Sequence, residues 1–410
     1  MKKILALLLA LCLTASMFGC GTITPEAPTT GTTGTTAPTT PSSKPITYTS
    51  YTVSDEEAAA ARNEIIATVG DRQLTNSEFS VCYWMGVYSF LSNNGSYVSL
   101  YGLDLTKPLD EQGPTDNENS WQELFIEDAL AAWHVYAATA LAGEALGVEM
   151  PDYLKEDLDG LRDLMAESAE KGKFESVDAM IQKEAGAGAT ADTYYDYTLH
   201  YYEYLACMEY VNEITKTTDA DIEKYFTEHE KELAESKITK DSGNVFGVRH
   251  ILIGLEGGTK DEMTGKTTYS EEEWEACRVK AQKLMDEWAG GTATEETFAN
   301  YAKEHSTDPG SKDNGGLYEG LDKDTSFVEP FKNWYLDESR QVGDYGLVKT
   351  DYGYHIMYMS SIEAKWIAHC RDAILKDAVD AFIEDAQEKY PIETDMDKIA
   401  LGEVELASNS

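Results

Sequence analysis

The sequence predicts an α+β fold, a small sheet-bearing unit inserted into a mostly α-helical chain, and three observations carry that reading. Two strand-like pieces, Val248-Arg249-His250-Ile251-Leu252-Ile253 and Gly353-Tyr354-His355-Ile356-Met357-Tyr358, stand about a hundred residues apart. Between them come helical patterns and a polar, glycine-rich turn, so strands and helices do not alternate as they do in parallel-sheet folds. On both sides, residues 51–240 and 361–394, apolar residues recur at helical spacing. Each strand-like piece carries one histidine among apolar neighbours, His250 and His355, and the turn offers a carboxylate, Asp308.

Residues 1–19 are a targeting segment and contribute nothing to the fold. Lys2 and Lys3 form its charged start, and Ile4 to Leu13 an apolar run too short to span a bilayer. Ser16-Met17-Phe18-Gly19-Cys20 then places a small residue directly before a cysteine. Residues 20–50 are rich in Thr, Pro, Gly and Ser and offer almost nothing to bury, the composition of a disordered tether. Thirty such residues reach roughly 30 Å as a flexible coil.

Residues 51–240 read as a helical domain. Ser54-Asp55-Glu56-Glu57 is a capping box ahead of an alanine-rich helix. Ile65 to Arg72 is a short strand with a turn, and Thr75-Asn76-Ser77-Glu78 opens a helix to about Phe90. Helical patterns follow over Trp121–Leu146, Tyr153–Ala169, Phe174–Glu184 and Thr193–Ile214, and Thr218 caps a last helix to about Glu235. The stretch from Thr193 is dense in tyrosine: Tyr194, Tyr195, Tyr197, Tyr201, Tyr202 and Tyr204. Such rings could hold extended peptide, each having an apolar body and a polar tip, but helix packing accounts for the spacing and is the reading adopted.

Lys240 to Asn244 is a polar hinge into the inserted unit, residues 245–360. There Ser270-Glu271-Glu272-Glu273 starts a helix to Ala289, and Thr294-Glu295-Glu296-Thr297 starts a second to Glu304. The turn His305–Ser311, a strand-like piece after Gly315-Gly316, a short helix over Phe327–Leu336 and two strands complete it. Residues 361–394 turn helical again through Ile374, Leu375, Val379, Phe382 and Ile383, and are expected to dock on the N-terminal helices. The tail, 395–410, reads as loosely ordered.

The formal net charge of −41 disfavours nucleic acid and anionic lipid headgroups and favours basic or unfolded polypeptide partners, or solubility alone. Cys82, Cys207, Cys277 and Cys370 show no CxxC spacing, so neither zinc nor a redox pair is indicated, and each reads as a free, small, buried hydrophobe. No phosphate-binding glycine loop or Gly-x-Ser-x-Gly elbow occurs. Asp308-Pro309-Gly310-Ser311-Lys312-Asp313-Asn314-Gly315 has the wrong register for an EF-hand calcium loop. No metal or cofactor is called for.

Ser16–Cys20 resembles a bacterial lipobox, although Met17 and Phe18 depart from its usual residues. That resemblance implies a diacylated Cys20 holding an exported protein on the outer face of the cytoplasmic membrane. Residues 248–360 resemble a parvulin (PpiC-type) peptidyl-prolyl isomerase domain through His250-Ile251-Leu252, Ser306-Thr307-Asp308-Pro309-Gly310-Ser311, Gly315-Gly316-Leu317, Pro330-Phe331 and Gly353-Tyr354-His355-Ile356. The flanks, with Ala67-Thr68-Val69-Gly70-Asp71 and Thr75-Asn76-Ser77-Glu78-Phe79, resemble the chaperone part of PrsA-type foldase lipoproteins and, more distantly, SurA. The resemblance implies paired histidines, His250 and His355, on adjacent central strands, with Asp308 at the heart of the site. It implies that Thr350 hydrogen-bonds within the histidine network, and that Leu317, Phe327 and Phe331 hold the substrate prolyl ring.

Proline isomerisation fits those residue types. The peptide bond resists rotation by roughly 18–20 kcal/mol of lost resonance, and no nucleophile or metal is needed to lower that barrier. An apolar pocket beside a polar network can bind the twisted amide better than the planar one, which is differential transition-state binding. The expected function is an extracytoplasmic, lipid-anchored foldase acting on X-Pro bonds of unfolded or partly folded secreted polypeptides. The alternative is a holdase whose isomerase domain is weak or vestigial. The acidic stretch Gly254-Leu255-Glu256-Gly257-Gly258 stands where phosphate-selective relatives carry basic residues, so phosphate recognition is not expected.

Overall fold

A computed structural model describes residues 47–114, 117–260 and 267–406. The signal segment, Cys20 and most of the tether, on which the export and lipidation expectations rest, lie outside them. The chain divides into two compact units, Met1–Thr215 with Asp377–Ser410, and Lys216–Lys376.

In the first unit capping boxes hold three helix starts, the first of them at the position the sequence suggests. Ser54 and Glu57 cap α1 (Asp55–Ala61), Ser120 and Glu123 cap α3 (Trp121–Leu146), and Thr190 and Thr193 cap α6 (Ala191–Ile214). Gly147, in the left-handed conformation, ends α3. With α2 (Asn76–Asn94), α4 (Asp152–Gly172) and α5 (Val177–Ala185), these helices enclose one core. α2 and α3 bury residues on nearly every side, the pattern of a central rather than a surface helix. The α6 tyrosines are packing residues. Tyr194, Tyr201, Tyr202 and Tyr204 are buried, and Tyr136 on α3 meets Tyr201 and Tyr204 at 5.5 and 5.3 Å between ring centroids.

β1 (Ile65–Val69) and β2 (Arg72–Thr75) form a hairpin, and β9 (Ile392–Thr394) adds to its free side as an antiparallel third strand. The residues after Asp395 are not loose up to the last one described. Ile399 and Leu401 are buried in the core, Leu401 bonds through its backbone to Tyr51 and Val53, and Asn76 grips the backbone of Lys398 and Ala400. Two apolar side chains in a polar tail suffice to dock it once a buried partner stands ready.

The second unit begins with α7 (Asp219–Glu228) and α8 (Glu230–Glu235), which break the single predicted helix at His229. Their apolar residues, Ile222, Phe226 and Leu233, pack with Cys370 and Trp366 of α12 (Lys365–Lys389), so 216–240 belongs with this unit and not with the N-terminal helices. The distal half of α12, through Val379, Phe382, Ile383 and Ala386, is part of the first unit's core. The four described cysteines are free and buried.

The rest of the unit is a four-stranded antiparallel sheet in the order β6-β3-β8-β7: β3 (Asn244–Gly254), β6 (Leu317–Leu321), β7 (Tyr345–Thr350) and β8 (Gly353–Ala364). A two-residue hairpin, β4 (Thr259–Lys260) with β5 (Thr267–Thr268), stands apart from it. Side-chain alternation splits the strands between two clusters. Ile251, Ile253, Ile356 and Tyr358 pack under α9 (Glu271–Ala289) and α10 (Glu295–His305). Val248, Val348, Met357 and Met359 pack on the other face against Phe331, Trp334 and Tyr335 of α11 (Glu329–Tyr335). Parity puts His250 and His355 on this second face. Their register, His250 opposite Met357 and Leu252 opposite His355, makes the two histidines diagonal neighbours on adjacent central strands.

Candidate active site

A line of hydrogen bonds crosses the α11 face of the sheet. His250 Nδ1 lies 3.0 Å from His355 Nδ1, and His355 Nε2 lies 2.8 Å from the Thr350 hydroxyl, which also accepts the Tyr352 N–H at 3.2 Å. At the other end His250 Nε2 meets Asp308 Oδ2 at 3.0 Å. The hydroxyls of Ser311, at 2.6 Å, and Tyr318, at 3.0 Å, donate to that same oxygen. His250, His355, Thr350 and Ser311 are buried, whereas Asp308 and Tyr318 are half-exposed at the mouth.

The local chain explains why Asp308 sits there. α10 ends at Ser306, whose hydroxyl accepts the N–H groups of Leu252 and Asp308, while the Thr307 N–H donates to the Leu252 carbonyl. The turn is therefore stitched to β3. Gly316, at φ +77°, lets the chain return close over His250, whose N–H donates to the Gly316 carbonyl at 2.8 Å.

The electrostatics follow from these contacts. The His250 hydrogen bond first, then those from Ser311 and Tyr318, hold the Asp308 carboxyl well below the usual carboxylate range despite its partial burial. Burial, reinforced by the neighbouring His250, pushes His355 down to about 3. Burial and the Asp308 charge push the Tyr318 phenol up, which keeps it a donor. With Asp308 ionised, His355 neutral and a single proton on the His250 ring, one pattern satisfies every ring nitrogen. Thr350 donates to His355 Nε2, His355 Nδ1–H donates to His250, and His250 Nε2–H donates to Asp308. A carboxylate stabilised by three donors is a weak base and a weak nucleophile. Its capacity is to impose a fixed field in a partly desolvated place.

Beside this line lies an aromatic wall. Phe327 and Phe331 stack at 4.8 Å, Phe331 turns its ring edge-on to His250 and His355 at 5.3 and 5.5 Å, and Tyr318 meets Phe327 edge-on at 5.0 Å. Of the three residues expected to line a prolyl pocket, the structure brings Phe327 and Phe331 together and leaves Leu317 out. Leu317 is half-buried opposite Arg249 and belongs to neither apolar cluster of the sheet, while Tyr318 stands opposite Val248 and joins Phe331. Strand alternation puts the residue one place later on the site face. Tyr318 and Ser311 are thus the contributors that sequence reasoning missed. Ser311 stood within a quoted motif, and only the strand register could have exposed Tyr318.

The pKa directions give a stability prediction. An unfolded histidine titrates near ~6.5, and folded His355 near 3. Between those values the unfolded chain binds the extra proton, so stability rises with pH across the window and falls as pH drops through it, by at most about 1.4 kcal/mol per pH unit. Asp308, lowered in the fold, adds loss of the same sign as pH falls below its unfolded value of ~3.9. Urea unfolding followed from pH 6.5 to 4 is expected to show a declining midpoint for the second unit, and His355→Gln is expected to flatten that decline.

Comparison with known proteins bears on residues 232–361, which match the family model of the PPIC-type PPIASE domain. The chain is 28% identical over 257 residues to the foldase protein PrsA of Caldanaerobacter subterraneus subsp. tengcongensis, a match covering 60% of this chain and 70% of that protein. It is 29% identical over 154 residues to the foldase protein PrsA of Clostridium botulinum, covering 37% of this chain and 36% of that one, so it spans only about a third of that relative. Among solved structures, PrsA from Bacillus subtilis aligns over 70% of this chain and 94% of its own at 19% identity, with a TM-score of 0.35.

Proposed function

We propose that this chain, whose residues 232–361 are a PPIC-type peptidyl-prolyl cis-trans isomerase domain, is an extracytoplasmic foldase that isomerises X-Pro bonds in unfolded secreted polypeptides. The observation that carries the reading is the buried line from Thr350 through His355 and His250 to Asp308, set beside the stacked Phe327 and Phe331. The aromatic wall would hold the prolyl ring. The Asp308 charge would act on an amide whose carbonyl and nitrogen change polarity as resonance is lost, and the histidines would keep that charge in place. Each ~1.4 kcal/mol by which the twisted amide is preferred gives a tenfold rate.

Purified mature protein is expected to speed cis-trans interconversion of a short prolyl peptide in a protease-free assay. Asp308→Ala is expected to lower kcat/KM about a hundredfold, the scale on which a fixed electrostatic contact is lost. Undiminished rates in Asp308→Ala and His250→Ala would remove the assigned mechanism. Absence of isomerisation in the parent protein, with suppression of client aggregation intact in Asp308→Ala, would favour the holdase reading.

The lipid anchor and the outer-face location rest on the sequence Gly19-Cys20 after an export segment. Metabolic labelling with palmitate is expected to mark the wild-type protein, while Cys20→Ala leaves it unlabelled and released from membranes. Phosphate selectivity is not part of the proposal: the only charged side chain of the Gly254–Gly258 loop, Glu256, carries the sign that repels phosphate.

A further inference from the structure

The two hydroxyls that donate to Asp308 hang from a single turn, residues 311–316. Ser311 opens it and Tyr318 stands just past its end. Hydrogen bonds within the turn set its shape. The Gly315 N–H donates to the Lys312 carbonyl at 3.1 Å, the Gly316 N–H to the Ser311 carbonyl at 2.7 Å, and the Asn314 amide clips both backbone groups of Leu317. Shape alone does not place the turn on the sheet. Between the Thr307 and Gly316 bonds to β3, its backbone is tied down by Arg249, whose Nη1 donates to the carbonyls of Asn314 at 3.2 Å and Gly315 at 3.1 Å. A Cβ on Gly315 would lie 3.1 Å from that nitrogen and 2.8 Å from Ala299 Cβ, so the turn is seated directly on the guanidinium and on α10. The guanidinium is held in turn. Its Nε–H donates to Glu295 Oε1 at 2.8 Å, and the Ser360 hydroxyl of β8 donates to the same oxygen at 2.8 Å. Strand alternation puts Arg249 on the face of β3 away from His250, so it reaches the site only through the turn.

We propose that Arg249, held by Glu295, is a positioning residue of the isomerase site: it fixes the turn on β3 so that Ser311 and Tyr318 direct both hydroxyls at one oxygen of Asp308. The inference rests on the reading of Asp308 as the charge that acts on the amide. An ion pair with one member as exposed as Glu295, at 40%, adds little to stability. Its effect lies in placement, since a displacement of about 1 Å at a reacting group costs up to about a hundredfold in rate. Arginine suits the task because its planar fork engages a carboxylate and two carbonyls at fixed angles.

Isomerisation of a prolyl peptide by the full mature chain, in double-mutant cycles with Asp308→Ala, tests it. Arg249→Lys keeps the charge, but one ammonium cannot hold Glu295 and both carbonyls as the fork does. It is expected to lower kcat about tenfold and to change KM by about twofold at most, in protein still folded at the assay temperature. Glu295→Gln, on the helix surface, leaves an acceptor for the Nε–H without its charge and is expected to lower kcat about threefold. Both losses are expected to shrink to about twofold or less once Asp308 is alanine, because a residue acting through another has nothing to act on when that group is gone. Losses that persist in full beside Asp308→Ala, or parental kcat in both variants, would overturn the proposal. A second readout needs no turnover. In protein labelled with nitrogen-15 histidine, the His250 Nε2 proton bonded to Asp308 is expected as a low-field resonance, assigned by its absence from Asp308→Ala. That resonance is expected to move in Arg249→Lys and in Glu295→Gln, and a stationary one in both would also overturn the proposal. A parent without isomerase activity whose resonance still moves would sink the enzymatic reading alone. An active parent with additive losses and a stationary resonance would sink this one alone.

Discussion

Gly316→Ala is expected to destabilise the second unit by about 2–5 kcal/mol and to displace His250. A methyl group at Gly316 would lie far inside contact distance of the His250 carbonyl oxygen, 3.1 Å from its nitrogen and 3.0 Å from Ala302 Cβ. Two of these neighbours are backbone of the central strand β3, which cannot swing aside as a flexible side chain can. The backbone at φ +77° adds roughly 1–2 kcal/mol for any residue with a Cβ, and overpacking of this kind adds about 1–3 kcal/mol. The sum is a large part of a typical stability of about 5–15 kcal/mol. For a unit of this size it lowers the melting temperature by roughly 10 °C. The strain would relieve itself by parting Gly316 from His250, which breaks their 2.8 Å hydrogen bond and moves the imidazole that holds Asp308. Gly320 is the matched control. Its φ is +65°, but a Cβ there meets nothing within 4 Å, so Gly320→Ala is expected to cost only the backbone share. Calorimetric melting of the two variants separates the terms.

That constraint shows why the site was partly legible and partly not. Capping boxes mark helix starts through contacts three residues apart, so Ser54, Ser270 and Thr294 locate their helices from the sequence. The parity of a strand also reads locally, which is how His250 and His355 come to share a face. Leu317 and Tyr318 fail on the same logic. The pair follows two glycines with positive φ, Gly315 and Gly316, and the β3–β6 register shifts just beyond it, where Phe246–Val248 faces Tyr318–Leu321. Each irregularity resets which residue faces inward, and nothing in the run Gly315-Gly316-Leu317-Tyr318 records the result. The docked tail escapes notice for a related reason. Its anchor, Asn76, lies more than three hundred residues upstream and bonds to backbone, which has no sequence identity to read.

Phe331→Ala should reduce stability and activity together, whereas Phe327→Ala should reduce activity nearly alone. Phe331 is 1% exposed and packs at once on Phe327, on Tyr335 at 6.3 Å, and on the edges of both histidines. Removing such a ring costs about 3–5 kcal/mol through lost burial and the cavity left behind. Here the cavity would open beside buried imidazoles whose hydrogen-bonding line assumes that no water enters. Water reaching His355 would relieve the desolvation that holds its pKa near 3, so the stability loss with falling pH should shrink in this variant. Phe327 is half-exposed and touches Tyr318 and Phe331 rather than the histidines. Truncating it leaves the line from Thr350 to Asp308 in place and takes away surface that a prolyl ring would cover. Its loss should therefore fall mainly on KM, with kcat changing less, because both planar and twisted amides lean on the same wall. Urea titration with kcat and KM for the two variants decides the matter. If Phe327→Ala lowers kcat as strongly as Asp308→Ala does, the wall discriminates between the two amide geometries and is more than a seat for the proline.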